Sequence, residues 1–298
     1  MLINQLFQTL ISIAKVLLIS RVWKNPIIES KNDLIIVGNG PSASKFLDES
    51  LGKIGSNFNF VCVNMFASQD LFFHLKPKFY LMSDSAFFNF SQETYLDSAK
   101  LKSLKENPDF ESTQKLINKT WNNILKSNWE LTIMVPQLFR NSPMVKMART
   151  AGFNILIFNY TVVQGFEWFE NLIYSAKLGS PQSQNVINSC IFQGINNGFK
   201  NIYLIGVENN FHLNLRVSET NQLEMVDEHF YKVEKKSVPL KNAKGGSVKM
   251  HEFYSSLYKA FYAHHRLQLY AKYKGVNIYN STLNSFIDAY ERKQINFD

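Results

Sequence analysis

The stretch Leu34-Ile-Ile-Val-Gly-Asn-Gly-Pro-Ser42 decides the fold class of this 298-residue chain. Its unbroken apolar run is typical of a strand that is buried on both faces, as in a parallel sheet. The Gly-Asn-Gly that follows permits a tight turn, and Pro41 suits the first turn of a helix because it has no N–H. The segment therefore predicts a strand, a turn and a helix start, where free backbone N–H groups favour a phosphate.

The rest of the chain repeats this alternation of buried strands and helices. Further apolar runs bounded by turn residues lie at 58–64, 78–83, 131–135, 154–159, 201–207 and 276–280. Helical stretches are predicted at about 42–50, 66–75, 111–127, 142–150, 164–177, 183–197 and 251–274. The alternation predicts an α/β fold with a doubly wound, Rossmann-like and mainly parallel sheet.

Two long regions interrupt this alternation, so we expect a single nucleotide-binding domain over 31–298 with lid-like insertions. They cover about 86–127 and 209–250. Insertions of that length in a compact domain are more often lids or acceptor-binding elements than inert packing. We expect a subdomain of helices and loops there.

Composition narrows the class of protein and of partner. Hydrophobic residues make up 45% and charged residues 19%, which is typical of a globular protein. Cys62 and Cys190 lie in apolar segments without zinc-ligand spacing, so we expect buried thiols in a reducing compartment. The net charge of +8 points to an anionic partner. Because the basic residues are dispersed, we expect a phosphate-bearing substrate or an anionic lipid, and no nucleic acid.

Residues 1–30 predict an amphipathic N-terminal helix that ends near Trp23. Apolar residues recur at helical spacing, and Lys15, Arg21 and Lys24 add positive charge without an acid. The apolar stretch is interrupted, so we expect it to be too short to span a membrane, and no basic region precedes it as in a signal peptide. The segment suits an interfacial membrane anchor, and the alternative is a helix packed on the core or on a second subunit.

Polar residues follow several of the predicted strands. Asn64 comes directly after one strand, Ser83 and Asp84 end the next, and Glu208 follows 201–207. Because the carboxyl ends of parallel strands meet at one edge, we expect these side chains to converge on a ligand crevice. Singly, each is more often a cap or a turn residue.

Two further regions offer candidate site residues. The helix predicted at 183–197 would be capped by Ser183, and its first turn would form a second anion site beside Gln184, Asn185 and Asn188, with ordinary capping as the alternative. His251 begins a long helix directly after Lys244-Gly-Gly-Ser247, so we predict it to be the general base.

Several catalytic signatures do not occur in the sequence. Position 43 is alanine, so the full G-x-G-x-x-G pattern is absent and a dinucleotide is not required. The chain has no D-x-D and no P-loop, and it lacks the G-x-S-x-G and H-E-x-x-H patterns. These gaps disfavour a metal-bridged sugar donor, an ATPase, a serine hydrolase and a zinc protease.

Three segments resemble the bacterial sialyltransferases of the Campylobacter type. The turn Gly38-Asn-Gly-Pro-Ser42 matches a motif of that family, which also occurs in the wider family similar to hydroxymethylpterin pyrophosphokinase. The second segment spans 60–88 and carries Phe60-Val-Cys-Val-Asn64 and Ser83-Asp-Ser-Ala-Phe87-Phe88. The third is Gly198-Phe-Lys-Asn-Ile-Tyr-Leu-Ile-Gly206-Val-Glu208. The likeness covers about half of the chain.

The resemblance implies a metal-independent, inverting transfer from a CMP-linked nonulosonic acid, with no further cofactor. On that basis Asn39 and Ser42 contact the nucleotide phosphate or ribose, and Gly38, Gly40 and Pro41 shape the turn. The remaining contacts are Asn64 with the nucleotide or donor carboxylate, Ser183 with the donor, and Gly206 and Glu208 along the cytidine. His251 is the positional match for the general base.

The chain departs from that family at three places. Pro181 replaces an arginine, Gln184-Asn185 replace a Ser-Gly pair, and Asn209-Asn210-Phe211 replace the two tyrosines that hold the leaving phosphate in the family. A related sugar donor or a different acceptor therefore stays open.

We thus expect a glycosyltransferase that is cytoplasmic and peripheral on the inner membrane, acting on a surface glycan or a lipid-linked acceptor. A homo-oligomer is compatible with the sequence. One alternative is a pyrophosphokinase that uses ATP and magnesium, with Asp84 and Glu208 holding the metal. The other is a catalytically inactive nucleotide-fold scaffold.

Overall fold

The computed structural model of this chain describes residues 2–89, 110–226, 237–241 and 246–296. The helices are α1 (Leu2–Ile19), α2 (Ser42–Ser50), α3 (Leu71–Leu75), α4 (Ala86–Asn89), α5 (Phe110–Leu125), α6 (Pro143–Thr150), α7 (Glu167–Ser175), α8 (Val186–Asn196) and α9 (Met250–Lys274). The strands are β1 (Asp33–Val37), β2 (Phe58–Val63), β3 (Phe79–Leu81), β4 (Thr132–Pro136), β5 (Asn154–Phe158), β6 (Asn201–Ile205), β7 (Leu215–Val217), β8 (Leu223–Val226), β9 (Ser237–Pro239), β10 (Asn277–Asn280) and β11 (Glu291–Arg292).

Eight of these strands form one parallel sheet in the order β11-β10-β6-β1-β2-β3-β4-β5. Strand β1 is central: Ile35 lies opposite Phe60 of β2 on one side and Tyr203 of β6 on the other. The chain builds the sheet outward from β1 to β5 and then crosses back to β6 on the opposite side. The predicted Rossmann-like α/β fold is confirmed, and its topological switch point lies between β1 and β6.

Both faces of the sheet are covered by helices, which explains the unbroken apolar runs of the strands. Leu34 and Ile36 of β1 face the layer formed by α7, α8 and α9, where Tyr174, Ile191 and Tyr270 are buried. Ile35 and Val37 face the opposite layer, formed by α2 to α6. Because successive strand residues point to opposite faces, every position of β1 from Leu34 onward is buried.

The two predicted insertions are not alike: the first contains helices, as expected, but one of them packs in the core, and the second contains strands that were not expected. Helix α5 is part of the core, since Ile117, Trp121 and Ile124 are buried beneath the sheet. The region 209–250 contains the three-stranded antiparallel sheet β7-β8-β9. Residues 90–109, 227–236 and 242–245 of these insertions lie outside the described residues, and the last range includes Lys244 and Gly245 of the segment Lys244-Gly-Gly-Ser247.

Helix α1 ends at Ile19, earlier than predicted, and packs on the segment that follows edge strand β5. The Ser20 hydroxyl lies 2.9 Å from that of Thr161. The chain then runs along the outer side of β5, where the Asn25 side chain donates to the carbonyl of Ile157 at 2.7 Å and accepts from its N–H at 2.9 Å.

By length and composition alone, α1 is apolar enough to cross a membrane, with a mean hydropathy of 1.7. This corrects the expectation that the segment is too short to span. Only 11% of that window is buried inside the protein.

Candidate functional site

A cavity of about 420 Å³ opens at the switch point of the sheet. It lies at the carboxyl ends of β1, β2, β3 and β6, where open α/β sheets bind their ligands, and its volume is typical of a small-molecule pocket. The predicted site residues that line it are Gly38, Asn39, Gly40, Pro41, Asn64, Ser83, Asp84, Gln184, Asn185, Gly206 and Glu208. The predicted convergence of strand ends is therefore present.

Three backbone N–H groups of the glycine turn Gly38–Ser42 donate hydrogen bonds within the protein. This corrects the prediction that the N–H groups of this turn are free to bind a phosphate. The N–H of Gly38 donates to the carbonyl of Ile205, and that of Gly40 donates to the carbonyl of Gly206, each at 2.9 Å. The N–H of Ser42, at the start of α2, donates to Oε1 of Glu208 at 2.8 Å. These three groups are thus occupied by β6 and the residues that follow it.

Glu208 places its carboxylate where a phosphate was predicted. A methyl group at Gly40 would lie 1.6 Å from Oε2 of Glu208, so only a glycine leaves room for the carboxylate. Oε2 is buried and has no hydrogen-bond partner among the described residues. The positive end of the α2 dipole stabilises this charge.

Gly206 brings the two central strands together at the cavity. Its φ is 64°, a left-handed conformation that favours glycine, and a Cβ there would lie 2.5 Å from the Cβ of Ala43. The short residue at position 43, which breaks the dinucleotide pattern, thus allows α2 to pack closely on the end of β6.

Asn64 turns the chain away from β2 in a left-handed conformation with φ 48°. Asparagine tolerates this conformation better than most residues, which gives it a structural reason to be there. The buried hydroxyl of Tyr80 donates to the Asn64 carbonyl. The side-chain Oδ1 of Asn64 is buried without a hydrogen-bond partner in the described part of the chain.

Asp84 lies at the mouth of the cavity and is exposed. Its Oδ1 accepts from the N–H of Ala86 at 2.9 Å, so it also caps the short helix α4. The neighbouring Ser83 is half-buried on the cavity wall.

Helix α8 begins at the cavity, but its cap differs from the prediction. The Asn185 side chain caps it by accepting from the N–H of Asn188 at 2.9 Å, and Ser183 lies outside the helix and the cavity lining. Asparagine reaches the third amide of the helix, which is the geometry of an N-cap, whereas Ser183 is too far back along the chain. The first-turn residues Val186 and Ile187 line the cavity.

The amides of Val186 and Ile187 have no acceptor within the helix, as is general for a first turn, and the dipole of α8 favours negative charge there. Anion sites were predicted at the starts of α2 and α8. Glu208 occupies the start of α2, so α8 is the helix start that can still accept an anion. Asn188, fully buried in the same turn, has both side-chain polar atoms without a partner among the described residues.

Sequence reasoning missed Tyr160, which lines the cavity after β5. Its hydroxyl donates to the carbonyl of Ser183 at 3.0 Å, so it supports the chain that leads into α8. Burial raises the pKa of Tyr160, the nearby Ser189 hydroxyl lowers it and the Asp84 carboxylate raises it further. The rule that found the other residues, a polar side chain after a buried strand, applies to Tyr160 as well.

A second missed group follows Glu208 in the chain and includes Asn209, Asn210, Phe211 and Asn214. Asn209 has a left-handed φ of 52°, and its side-chain nitrogen lies 3.5 Å from Nε2 of His264. Nδ1 of His264 lies 3.0 Å from the Tyr290 hydroxyl. Burial lowers the pKa of His264 to about 3, so this ring is neutral and holds Asn209 from behind.

His251 is not brought to the cavity. It is exposed in the first turn of α9 and is absent from the lining. Helix α9 nevertheless approaches the site, because Ser256 accepts a hydrogen bond from the side chain of Gln184 at 3.1 Å.

The charges of the site contrast with the basic chain. Asp84 and Glu208 line the cavity, and no lysine, arginine or histidine does so among the described residues. In the described ranges, no group of three or more histidine, cysteine or acidic side chains is placed to hold a metal ion. The wall thus offers amides, backbone groups, the hydroxyl-bearing residues Ser83 and Tyr160, and two carboxylates.

No family model, curated protein or solved structure matches this chain.

Proposed function

We propose that this chain is a glycosyltransferase that binds a nucleotide-sugar donor in the cavity between β1 and β6. The observation that carries the proposal is the set of buried polar atoms without partners around this cavity, above all Oε2 of Glu208 and Oδ1 of Asn64. Leaving such atoms unpaired costs free energy, which a hydroxyl- and amide-bearing ligand would offset. In Rossmann-like sites, a carboxylate at the end of a strand accepts hydrogen bonds from ribose hydroxyls.

The start of α8 is the part of the site that suits the departing nucleotide phosphate. Its first-turn amides at Val186 and Ile187 line the cavity, and its dipole favours an anion without a cation. In this scheme Glu208 and the Gly38–Ser42 turn hold the nucleoside. A base removes the proton of an acceptor hydroxyl, the oxygen attacks the anomeric carbon, and the nucleotide leaves with its bonding electron pair. The sugar that the motifs suggest is a nonulosonic acid carried on CMP, and the acceptor is a surface glycan or a lipid-linked glycan.

The base is Asp84 or His251, and a pair of variants assigns it. Asp84 lies at the cavity mouth, whereas His251 must approach by a movement of the start of α9. The variants are Asp84→Asn and His251→Asn. The one that removes the base should lower kcat by about 10²- to 10⁴-fold and leave the donor Kd unchanged.

The direct test is a calorimetric and thermal-shift panel of nucleotides, followed by an assay of sugar-nucleotide consumption in EDTA. Raised thermal midpoints with CMP or a CMP-linked sugar in EDTA support the proposal. A midpoint that no nucleotide or sugar nucleotide changes would contradict it and favour the scaffold.

A pyrophosphokinase is the second candidate, because Asp84 and Glu208 line one cavity and carboxylates are typical magnesium ligands. Binding of ATP that requires magnesium, with no response to CMP, would favour this candidate.

A further inference from the structure

The outward face of α1 is apolar along its whole length. Leu2 is 71% exposed, Leu10 is 56% exposed and Leu17 is 75% exposed. The other large apolar residues of this face are Ile3, Leu6, Phe7, Ile13 and Leu18. We call all eight residues the α1 stripe. Contiguous apolar patches of this kind are rare on soluble monomers and mark a partner or a membrane surface.

The buried residues of the same helix are polar, although Val16 also packs against the core, and this reverses the usual arrangement of a surface helix. Thr9 and Ser12 are its buried residues. The Ser12 hydroxyl donates to the carbonyl of Gln164 at 2.8 Å and accepts from its N–H at 2.9 Å, and the Thr9 hydroxyl accepts from the N–H of Phe166 at 3.1 Å. These bonds fix the helix along the domain with its apolar stripe turned outward.

The charge around the stripe indicates an anionic partner. Lys15, Arg21 and Lys24 are exposed, and no acidic residue occurs before Glu29. Two copies of the chain that met through this face would bring like charges together, which disfavours a dimer there. Anionic lipid headgroups would neutralise the same charges, so basic side chains near the surface strengthen binding to an anionic membrane.

We propose that α1 is an in-plane docking element that inserts its stripe into the interfacial region of an anionic bilayer. An in-plane helix of this type buries its apolar side about 5–10 Å into the boundary between headgroups and acyl chains. A helix that crossed the bilayer would have to break the bonds of Thr9 and Ser12 to the domain, so the in-plane orientation follows from those contacts.

Helix α7 extends the apolar surface next to α1. It begins one residue after Phe166, to which Thr9 is bonded, and exposes Trp168 and Leu172 one turn apart. Tryptophan is enriched at the membrane–water interface because its ring is apolar and its N–H is polar.

Docking through α1 would bring the bilayer close to the cavity. Thr161, which bonds to Ser20 at the end of α1, directly follows the cavity residue Tyr160. Lipid-linked acceptors would then be presented near the donor site. The docking inference itself does not rest on the glycosyltransferase proposal, because it requires only vesicle binding.

Vesicle flotation of the purified full chain tests the proposal. We expect the chain to float with vesicles of phosphatidylcholine and phosphatidylglycerol, and to bind vesicles of phosphatidylcholine alone at least about tenfold more weakly. The triple variant Leu6→Ser/Leu10→Ser/Leu17→Ser should lose about tenfold or more of the binding. The matched control is Leu138→Ser/Leu283→Ser, which changes leucines that are 76% and 65% exposed outside α1 and should bind like the parent.

Sedimentation in the absence of lipid tests whether a second copy of the chain covers the α1 stripe instead of a membrane. A parent that does not bind anionic vesicles would overturn the proposal. A dimer that is dissociated only by the triple variant would overturn it in favour of a second copy of the chain as the partner of the α1 stripe. Equal loss of binding in the control pair would overturn it as well. Unchanged thermal midpoints show that each variant is folded.

Fluorescent labels at Leu2→Cys and, separately, Leu17→Cys measure the orientation. The native Cys62 and Cys190 are buried, and burial raises the pKa of both thiols, so labelling is selective. Equal, shallow depths in quenching by spin-labelled lipids support the in-plane helix. Labels at opposite leaflets would overturn it in favour of a spanning helix.

Discussion

The backbone N–H of Ser42 donates a hydrogen bond to Oε1 of Glu208 at 2.8 Å, across 166 residues of sequence. A side-chain carboxylate thereby occupies the helix start that the glycine turn would otherwise offer to a phosphate. The bond also ties the two strands on either side of the switch point, because Ser42 follows β1 and Glu208 follows β6. Under the proposed function, nucleotide binding at this turn therefore depends on the position and charge of the Glu208 carboxylate.

Glu208→Gln should weaken nucleotide binding by about tenfold, since a hydrogen bond to a charged acceptor contributes about 1.5–3 kcal/mol. Glutamine keeps an oxygen for the N–H of Ser42, so the fold should be retained. Calorimetry with CMP gives the affinity, and Glu49→Gln on the exposed side of α2 is the control. Tighter binding by Glu208→Gln would mean instead that the carboxylate excludes an anion from the turn.

Gly40→Ala should destabilise the protein and displace Glu208. The added Cβ would lie 1.6 Å from Oε2 of Glu208 and 2.7 Å from the carbonyl oxygen of Gly206. Overpacking of this kind costs about 1–3 kcal/mol, measurable as a lower urea midpoint. Gly52→Ala is the control, because a Cβ there meets nothing within 4 Å and should leave stability within about 0.5 kcal/mol. Equal effects of the two substitutions would show that the Gly40 contact is not tight.

His264 should make the protein less stable as the pH falls. Burial lowers its folded-state pKa to about 3, whereas the unfolded chain has a pKa of about 6.5. Between these values only the unfolded state binds the proton, so the free energy of unfolding falls by about 1.4 kcal/mol for each unit of pH below 6.5.

Urea unfolding at pH 7 and pH 5 measures this dependence, with about 2 kcal/mol expected from His264. His264→Gln should lower stability at pH 7 and reduce the difference between the two pH values. His265→Gln changes the exposed neighbour on the same helix and should keep the parent's pH dependence. An unchanged pH dependence in His264→Gln would contradict the assignment.

Ser12→Ala should loosen α1 from the domain. The substitution removes both hydrogen bonds to the backbone of Gln164 and leaves those groups without their partner, at a cost of about 1–3 kcal/mol. Hydrogen exchange of residues 2–19 should become faster. Asn4→Ala, at an exposed position of the same helix, is the control and should leave exchange unchanged. Protection equal to the parent's in Ser12→Ala would show that other contacts hold the helix.

The sheet could be predicted from the sequence because its strands carry apolar residues on both faces, as Leu34 and Ile35 illustrate. The convergence of Asn64, Asp84 and Glu208 followed from strand direction alone. The partners of the turn could not be predicted, because they depend on where β6 brings Glu208. The orientation of α1 could not be predicted either. Its pattern shows an apolar and a polar face but not which one packs on the domain, because the backbone groups that bind Thr9 and Ser12 lie about 150 residues away.

The contact between Asn25 and Ile157 bears on how the chain tolerates shortening. Strand β5 carries the sequence Asn-Ile-Leu-Ile-Phe, and Asn25 occupies both the donor and the acceptor of Ile157 on its outer side. A chain that starts after residue 30 would leave this apolar edge open to pairing with the same strand of another molecule. Removing the N-terminal segment to improve solubility should therefore exchange the exposed apolar stripe of α1 for an open strand edge that aggregates, and Asn25 would need to be retained or β5 given a charged edge residue.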